Sequence, residues 1–212
     1  LYDFANSSFA AVIMATIYAS YYAMGVVGNE RGNGDLWWGR AVSLSMGIVA
    51  LTSPFLGSMA DRTGIRRTLF IGFTTLSVAA TALMATVEPG MVLRGCVLGV
   101  LGNVGFEAAL VYYNAWLPQL APPGMQGRLS AWGFAVGYAG SIVALLMALP
   151  FVKAQAFGGA FVVTAILFAT FALPAFFLLP PTSGARVRLF EALRTAGVEL
   201  RDEALGGAAL AA

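Results

Sequence analysis

Gly57-Ser-Met-Ala-Asp61-Arg62-Thr-Gly64-Ile-Arg66-Arg67 is a short hydrophilic stretch that lies between two long apolar segments. Its residues follow the spacing Gly-x-x-x-Asp-Arg-x-Gly-x-Arg-Arg, which concentrates three arginines and one aspartate in a small part of the chain. The flanking segments, at about 39–60 and 68–87, are long enough to cross a bilayer, which takes about 20 apolar residues. The stretch therefore predicts a charged turn between two membrane-spanning helices.

The composition of the whole chain also indicates a membrane protein. Of the 212 residues, 59% are hydrophobic and 10% are charged, whereas a soluble domain averages about 25% charged residues. The net charge of +2 is small and the basic residues are scattered, which argues against a nucleic-acid partner. The lipid bilayer is therefore the expected surrounding of most of the chain.

The residue types that are missing narrow the chemistry. The chain contains no histidine, which excludes histidine-based metal sites and nucleophilic pairs that use histidine. Lys153 is the only lysine and follows no glycine-rich loop, so the sequence has no P-loop for nucleotides. Cys96 is the only cysteine, so no intrachain disulfide can form. We expect no metal, no cofactor and no enzymatic activity, and any proton chemistry in the membrane has to use carboxylates.

Six segments are long and apolar enough to span a bilayer, and short polar connections separate them. They lie at about 4–28, 39–60, 68–87, 91–117, 130–152 and 158–180. This pattern predicts an all-α membrane protein with a six-helix transmembrane bundle over residues 1–181. Leu1 adjoins the first apolar run without an initiator methionine or a signal-peptide pattern, so we expect the chain to be a fragment.

The last part of the chain, residues 182–212, differs in character from the bundle. Within 186–205 the apolar residues fall on one helical stripe and the charged residues lie elsewhere. This predicts an amphipathic helix on the cytoplasmic membrane surface, within a linker that is truncated here. A solvated tail is the alternative interpretation.

The arginines predict the orientation of the helices. The connections after the second and fourth segments and the stretch after the sixth carry most of the arginines, and basic residues concentrate on the cytoplasmic side of membranes. We therefore place the N-terminus in the cytoplasm.

Two further stretches carry a family resemblance. They are Leu1-Tyr-Asp-Phe-Ala-Asn-Ser-Ser-Phe9 and Val111-Tyr-Tyr-Asn-Ala-Trp-Leu-Pro118. Together with the charged stretch they resemble the major facilitator superfamily, in the branch of the autophagy-related vacuolar amino-acid effluxers and their bacterial relatives. The resemblance implies the N-terminal six-helix half of a secondary active transporter for small solutes, with amino acids as the leading substrates, in a bacterial inner membrane. A non-transporting membrane sensor or scaffold is the alternative.

The resemblance also implies partners and a gate. A second six-helix half, from the same chain or from a second copy, would complete the transporter, and the two halves would provide alternating access. The charged stretch would help to close the cytoplasmic side, with Asp61 at the N-terminus of a helix in the second half and Gly57 in close helix contact. The gating candidates are Gly57, Asp61, Arg62, Gly64, Arg66 and Arg67.

Glu107 is the main candidate for a functional residue. It lies near the middle of the fourth segment, where an ionised carboxylate costs several kcal/mol unless it is paired or faces water. At 100° per residue it shares one helical stripe with Asn103 and Asn114. We predict that this stripe faces a substrate pathway and that Glu107 binds a proton or a cationic group. The alternative is a protonated side chain that bonds to a neighbouring helix.

The first segment offers a matching polar stripe near its start. Asn6 and Ser7 are candidates for hydrogen bonds to substrate, because a buried amide needs partners. Asp3 either caps the helix or takes part in gating or ion coupling.

Arg94 lies on the same segment as Glu107 but thirteen residues earlier, a rotation that places the two side chains on nearly opposite faces. We expect Arg94 to extend to the membrane interface, with a role in coupling as the alternative. Gly133, Gly137 and Gly140 in the fifth segment predict close helix packing.

Overall fold

The computed structural model describes residues 1–121 and 124–180, without the side chains of residues 59, 61–63 and 118. It contains six long helices, each long and apolar enough to cross a membrane, and no strand within the described ranges. The helices are α1 (Tyr2–Val27), α2 (Asn33–Thr63), α3 (Arg66–Met84), α4 (Val92–Asn114), α5 (Gln126–Lys153) and α6 (Phe157–Leu178). The predicted all-α membrane fold is confirmed. The predicted amphipathic helix and linker at 182–212 lie outside the described residues.

The helices alternate in direction, so their connections gather at two ends of the bundle. We call the end with the α1–α2, α3–α4 and α5–α6 connections the upper end, and the end with Leu1 the lower end. At the upper end the Gly90 N–H donates to the Val26 carbonyl at 2.9 Å. At the lower end the Arg67 guanidinium donates to the Phe176 carbonyl. Both ends are therefore linked by polar contacts between different helices.

The core lies where α1 meets α3, α4 and α6. Phe9 is fully buried, and its ring stacks on Phe106 of α4 with the centroids 5.0 Å apart. Tyr2 is nearly as deeply buried and packs edge-on against Phe70 of α3 at 4.8 Å. In a bilayer these aromatic contacts hold the helices together by packing rather than by removing apolar surface from water.

The first helix is irregular. It is α-helical over Tyr2–Phe9 and Ile17–Ser20, and π-helical over Ala10–Ala15 and Tyr21–Val27. Thr16 interrupts the helix with φ −133° and ψ −84°, and its hydroxyl donates to the Ala11 carbonyl at 2.5 Å. Because π-helical turns are rare and occur frequently at functional sites, the irregular α1 is a candidate for a functional role.

The charged stretch differs from its prediction. We expected a turn between segments 39–60 and 68–87, but α2 begins at Asn33 and continues to Thr63. Gly64 ends it in a left-handed conformation with φ 72°, and its N–H donates to the Ala60 carbonyl at 3.1 Å. Only Gly64 and Ile65 separate α2 from α3. Hydropathy marks where a helix leaves the bilayer, whereas the helix itself ends at the glycine that can adopt a positive φ.

Glycines bring α1 and α5 into close contact. A Cβ atom added at Gly140 would lie 2.8 Å from the Phe4 Cα, and one added at Gly137 would lie 2.6 Å from the Ser7 Oγ. A Cβ at Gly133 would lie 3.1 Å from a carboxylate oxygen of Asp3. The predicted close packing at these three glycines is confirmed, and it fixes the lower half of α1 against α5.

Candidate functional site

A polar face of α4 carries the main candidate residues. Asn103 and Glu107 are four residues apart on this uninterrupted helix, so their side chains are neighbours on one face. Asn103 is 1% exposed, and its amide nitrogen donates to the Ser45 hydroxyl of α2 at 2.7 Å. The Ser45 hydroxyl in turn donates to the Val42 carbonyl at 2.8 Å. The Asn103 Oδ1 has no partner among the described residues.

Glu107 lies one helical turn further along and is half-buried. Its carboxylate makes no hydrogen bond or ion pair with any residue that the structure describes, so the bond to a neighbouring helix that we considered as the alternative is not formed there. A carboxylate and an amide oxygen both accept hydrogen bonds. Together they suit a ligand that donates hydrogen bonds, such as an ammonium, and the carboxylate can also take up a proton.

The upper part of this face is closed rather than open. A Cβ atom added at Gly99 would lie 3.2 Å from the Trp38 ring of α2, and Asn103 contacts Ser45 on the same helix. Asn114, at the lower end of α4, is exposed. The predicted stripe is therefore covered by α2 at its top and accessible from Glu107 downward.

The start of α1 contacts α4 through Asp3. The Tyr113 hydroxyl donates to a carboxylate oxygen of Asp3 at 2.8 Å. The helix-capping interpretation of Asp3 is wrong, because Leu1 occupies the N-cap position and no side chain caps the helix. The carboxylate lies in the first turn, where the helix dipole favours negative charge.

Asn6 and Ser7 lie beside Asp3 on the same helix. Asn6 is 6% exposed, and its side chain makes no hydrogen bond with the described residues. The Ser7 hydroxyl lies against Gly137 of α5, while the Ser7 carbonyl accepts from Ser141 at 3.1 Å. The side-chain amide of Asn6 is therefore available for hydrogen bonds to a ligand, whereas Ser7 is part of the contact between α1 and α5.

Two of the predicted gating arginines bind helix ends within this bundle. Arg66 is 8% exposed, donates to the Ala115 carbonyl at 3.1 Å and lies over the Trp116 ring at 5.6 Å. Arg67 donates to the Phe176 carbonyl in the last turn of α6. Positive charge at these C-termini satisfies free carbonyls and complements the helix dipoles. Both arginines thus connect α3 to its neighbours at the lower end.

The other gating candidates have different surroundings. A Cβ atom added at Gly57 would meet nothing within 4 Å, so the close helix contact expected there is not present in the described part of the chain. Gly64 acts as the C-cap of α2. The side chains of Asp61 and Arg62 lie outside the described residues.

Arg94 lies at the upper end, away from the polar face of α4. It is exposed, and its guanidinium donates to the Thr86 hydroxyl at 2.7 Å. This position agrees with an extension to the interface, and no contact joins it to Glu107.

Three tyrosines of α1 make contacts that the sequence did not predict. The hydroxyls of Tyr18 and Tyr22 donate to the Gly95 and Val92 carbonyls of α4, at 2.8 and 2.9 Å. The Tyr21 hydroxyl donates to the Val87 carbonyl at 2.7 Å. A cluster of tyrosines in the sequence indicates that several hydroxyl groups need hydrogen-bond acceptors. The sequence does not identify the carbonyls that accept these bonds.

The chain resembles known proteins over most of its length. A sequence profile of the family described as "Vacuole effluxer Atg22 like" matches residues 40–201. The chain is 29% identical over 151 residues to an uncharacterized MFS-type transporter, YxiO, of Bacillus subtilis, covering 70% of this chain and 35% of the relative. It is 27% identical over 199 residues to an uncharacterized protein of Aquifex aeolicus, covering 90% of this chain and 47% of that protein.

A third relative comes from an animal. The chain is 32% identical over 136 residues to facilitated glucose transporter protein 1 of Caenorhabditis elegans, covering 61% of this chain and 23% of that protein. The chain thus spans less than half the length of these three relatives. No solved structure matches it.

Proposed function

Since the chain belongs to the vacuole effluxer Atg22-like family, we propose that it forms one half of a secondary active transporter for small solutes. A second six-helix half, from the same polypeptide or from a second copy, completes the pathway, and the two halves alternate in access. The protein lies in a bacterial inner membrane with its N-terminus in the cytoplasm and is not an enzyme. The linker after α6 joins the two halves.

The observation that carries this proposal is the unpaired polar face of α4. In a bilayer, polar groups without partners are costly, and their presence is a mark of a ligand or ion pathway. Asn103 has a buried oxygen without a partner, and the Glu107 carboxylate has none among the described residues. Asn6 of α1 adds a largely buried amide. These three groups, with Ser7 and Asn114 at the margins, form the proposed substrate pathway.

Amino acids are the proposed substrates. The α-ammonium of an amino acid is a donor of hydrogen bonds, and the Glu107 carboxylate is an acceptor on the accessible part of this face. When no substrate is bound, a proton on Glu107 neutralises the carboxylate. Exchange of this proton for the substrate ammonium would couple transport to the proton gradient.

The lower end would act as the cytoplasmic gate. Arg66 and Arg67 hold the ends of α4 and α6 beside the start of α3, so α3, α4 and α6 move as one body. Asp61 and Arg62, at the end of α2, are then the residues of the charged stretch that would meet the second half. Asp3 links α1 to this body through Tyr113 and is the further candidate for gating or ion coupling.

The test uses the protein expressed from its complete reading frame and reconstituted in liposomes with an imposed pH gradient. We expect accumulation of labelled amino acids in the wild type. Glu107→Gln keeps the size of the side chain but cannot release a proton at physiological pH, so it should abolish gradient-driven accumulation and leave exchange of substrate across the membrane. Glu30→Gln, at an exposed carboxylate of the α1–α2 connection, is the matched control and should transport normally.

The same assay separates the parts of the proposal. Gradient-driven accumulation that survives Glu107→Gln would exclude coupling through this residue. Uptake of glucose but not of amino acids would overturn the substrate class, in line with the glucose transporter among the relatives. No flux of any solute in the wild type would favour a sensor or scaffold.

A further inference from the structure

The upper end of the bundle holds a cavity that the proposed pathway does not use. Its volume is about 860 Å³, and its walls are the end of α1, the α3–α4 connection and the α5–α6 connection. The residues that matter for its chemistry are Ser20, Tyr21, Glu88, Gln155 and Phe157. Glu107 and Asn103 do not line it, so this is a separate site.

Two aromatic rings form one wall of the cavity. Tyr21 stacks on Phe157 with the ring centroids 4.9 Å apart and the planes 29° apart. The Tyr21 hydroxyl donates to the Val87 carbonyl at 2.7 Å, which fixes the orientation of its ring. Aromatic faces attract cations when they lie within about 6 Å of them. The faces of the two rings that are turned away from each other can therefore attract a positive charge.

Glu88 supplies the charge of the cavity. Among the described residues it is the only charged one that lines the cavity, it is exposed, and its carboxylate forms no ion pair or hydrogen bond with them. Arg94, the arginine of the neighbouring helix end, is engaged with the Thr86 hydroxyl instead. The backbone next to Glu88 is held in place, because the Gly90 N–H donates to the Val26 carbonyl at 2.9 Å. Glu88 thus presents a carboxylate without a cation from a backbone that is held in place at the cavity.

Two further polar groups face the same space. The Ser20 hydroxyl makes no hydrogen bond with the described residues. Gln155 has a positive φ of 56°, a conformation that is uncommon for residues other than glycine. Its backbone N–H donates to the Val152 carbonyl at 3.0 Å, which stabilises this turn. Its side-chain oxygen and the Ser20 hydroxyl can accept hydrogen bonds from a donor.

We propose that this upper cavity binds a ligand with an ammonium group, between the Glu88 carboxylate and the Tyr21–Phe157 ring pair. One carboxylate is too few ligands to hold a metal ion, and its negative charge repels anions. The ammonium can belong to a free amine or to the headgroup of an aminophospholipid, since both present the same chemistry. Because the walls include part of the π-helical turn Tyr21–Val27, the bound ligand would also hold α1 in this shape.

The experiment measures binding of two soluble probes, ethanolamine and tetramethylammonium, to the complete protein in nanodiscs of phosphatidylglycerol by calorimetry. We expect saturable binding of both probes to the wild type. Glu88→Gln should weaken the binding of both probes by at least about 10-fold, because it removes the negative charge of the carboxylate. Phe157→Leu should weaken the binding of tetramethylammonium by about 3-fold or more, because it removes one aromatic ring.

The control is Glu30→Gln, which removes another exposed carboxylate at the same end but outside the cavity, and it should bind like the wild type. Size-exclusion chromatography of each variant checks that the fold is intact. No saturable binding to the folded wild type, or equal weakening by Glu30→Gln and Glu88→Gln, would overturn the proposal.

A second set of nanodiscs identifies the source of the ammonium. If phosphatidylethanolamine in the disc competes with the soluble probes, the ligand is the lipid headgroup. If the probes bind equally in both discs, the ligand is a free amine. Either result supports an ammonium site. Binding does not depend on transport, so this proposal and the proposed function can fail separately.

Discussion

The two halves of α1 differ in the contacts that hold them to their neighbours. The lower half lies against α5, where glycines leave no room for a side chain between the two backbones. The upper half is π-helical at its end, and tyrosine hydroxyls attach it to carbonyls of α4 and of the α3–α4 connection. Backbone contact through glycines tolerates almost no displacement, whereas hydroxyl groups at the ends of long side chains can change partner. The upper half has one glycine contact of the same kind, because a Cβ atom added at Gly34 of α2 would lie 2.8 Å from the Ala23 Cα. The hydroxyl contacts of the upper half are therefore the ones that can be remade, whereas the glycine contacts are fixed.

The largest effect is expected where the backbones touch. Gly140→Ala places a methyl group against the Phe4 backbone, so α1 and α5 have to separate. Such overpacking costs about 2 kcal/mol, and the apparent unfolding temperature of the protein in detergent should fall by several degrees. Thermal unfolding followed by loss of the monodisperse peak in size-exclusion chromatography measures this.

The matched control for this variant is Gly72→Ala in α3. Gly72 lies inside a helix like Gly140, but a Cβ atom there would meet nothing within 4 Å. Alanine favours the helix over glycine by up to about 1 kcal/mol, so the unfolding temperature should stay the same or rise. A similar loss in both variants would mean that glycine content, and not contact with α1, sets the stability.

An intermediate effect is expected at the buried polar contact between α2 and α4. Ser45→Ala removes the acceptor of the Asn103 amide, whose oxygen already lacks a partner, and so leaves both polar atoms of a buried side chain unpaired. This should cost about 1–3 kcal/mol. Ser43→Ala, at an exposed serine two residues earlier, should leave the unfolding temperature unchanged. If Ser45→Ala kept the stability of the wild type, water or the second half of the transporter would have to form the hydrogen bonds of the Asn103 amide.

The smallest effect is expected in the upper half of α1. Tyr22→Phe keeps the ring, which is fully buried, and removes only the hydroxyl that donates to the Val92 carbonyl. A single bond of this kind contributes about 1 kcal/mol. Tyr138→Phe, at an exposed tyrosine of α5, is the control and should change nothing. If Tyr22→Phe were as damaging as Gly140→Ala, the contrast between the two halves of α1 would not hold.

The helices were the part of the fold that the sequence predicted well. Runs of about 20 apolar residues identify spans because the backbone in lipid has to satisfy its own hydrogen bonds. The π-helical turns of α1 gave no signal, since Ala10–Ala15 is as apolar as any regular helix. The end of α2 was misplaced for a related reason. The apolar run ends at Asp61 and Arg62, while the helix continues to Thr63.

The candidate site was predicted in its composition but not in its surroundings. A helical period places Asn103 and Glu107 on one face of α4, and the structure has them there. The period cannot tell which neighbour covers that face, and Ser45 lies against Asn103 because of how α2 crosses α4. Asp3 shows the same limit. Its partner Tyr113 is far away in sequence, so no local pattern could distinguish this contact from a helix cap.

The length of α2 has a consequence for how the bundle sits in its bilayer. Its 31 residues extend over roughly 46 Å at about 1.5 Å per residue, whereas the hydrocarbon layer is about 30 Å thick. The excess is taken up by tilt or by protrusion at the two ends. In each case at least one end of α2 extends beyond the hydrocarbon layer. The thickness of the membrane would then influence the tilt of this helix.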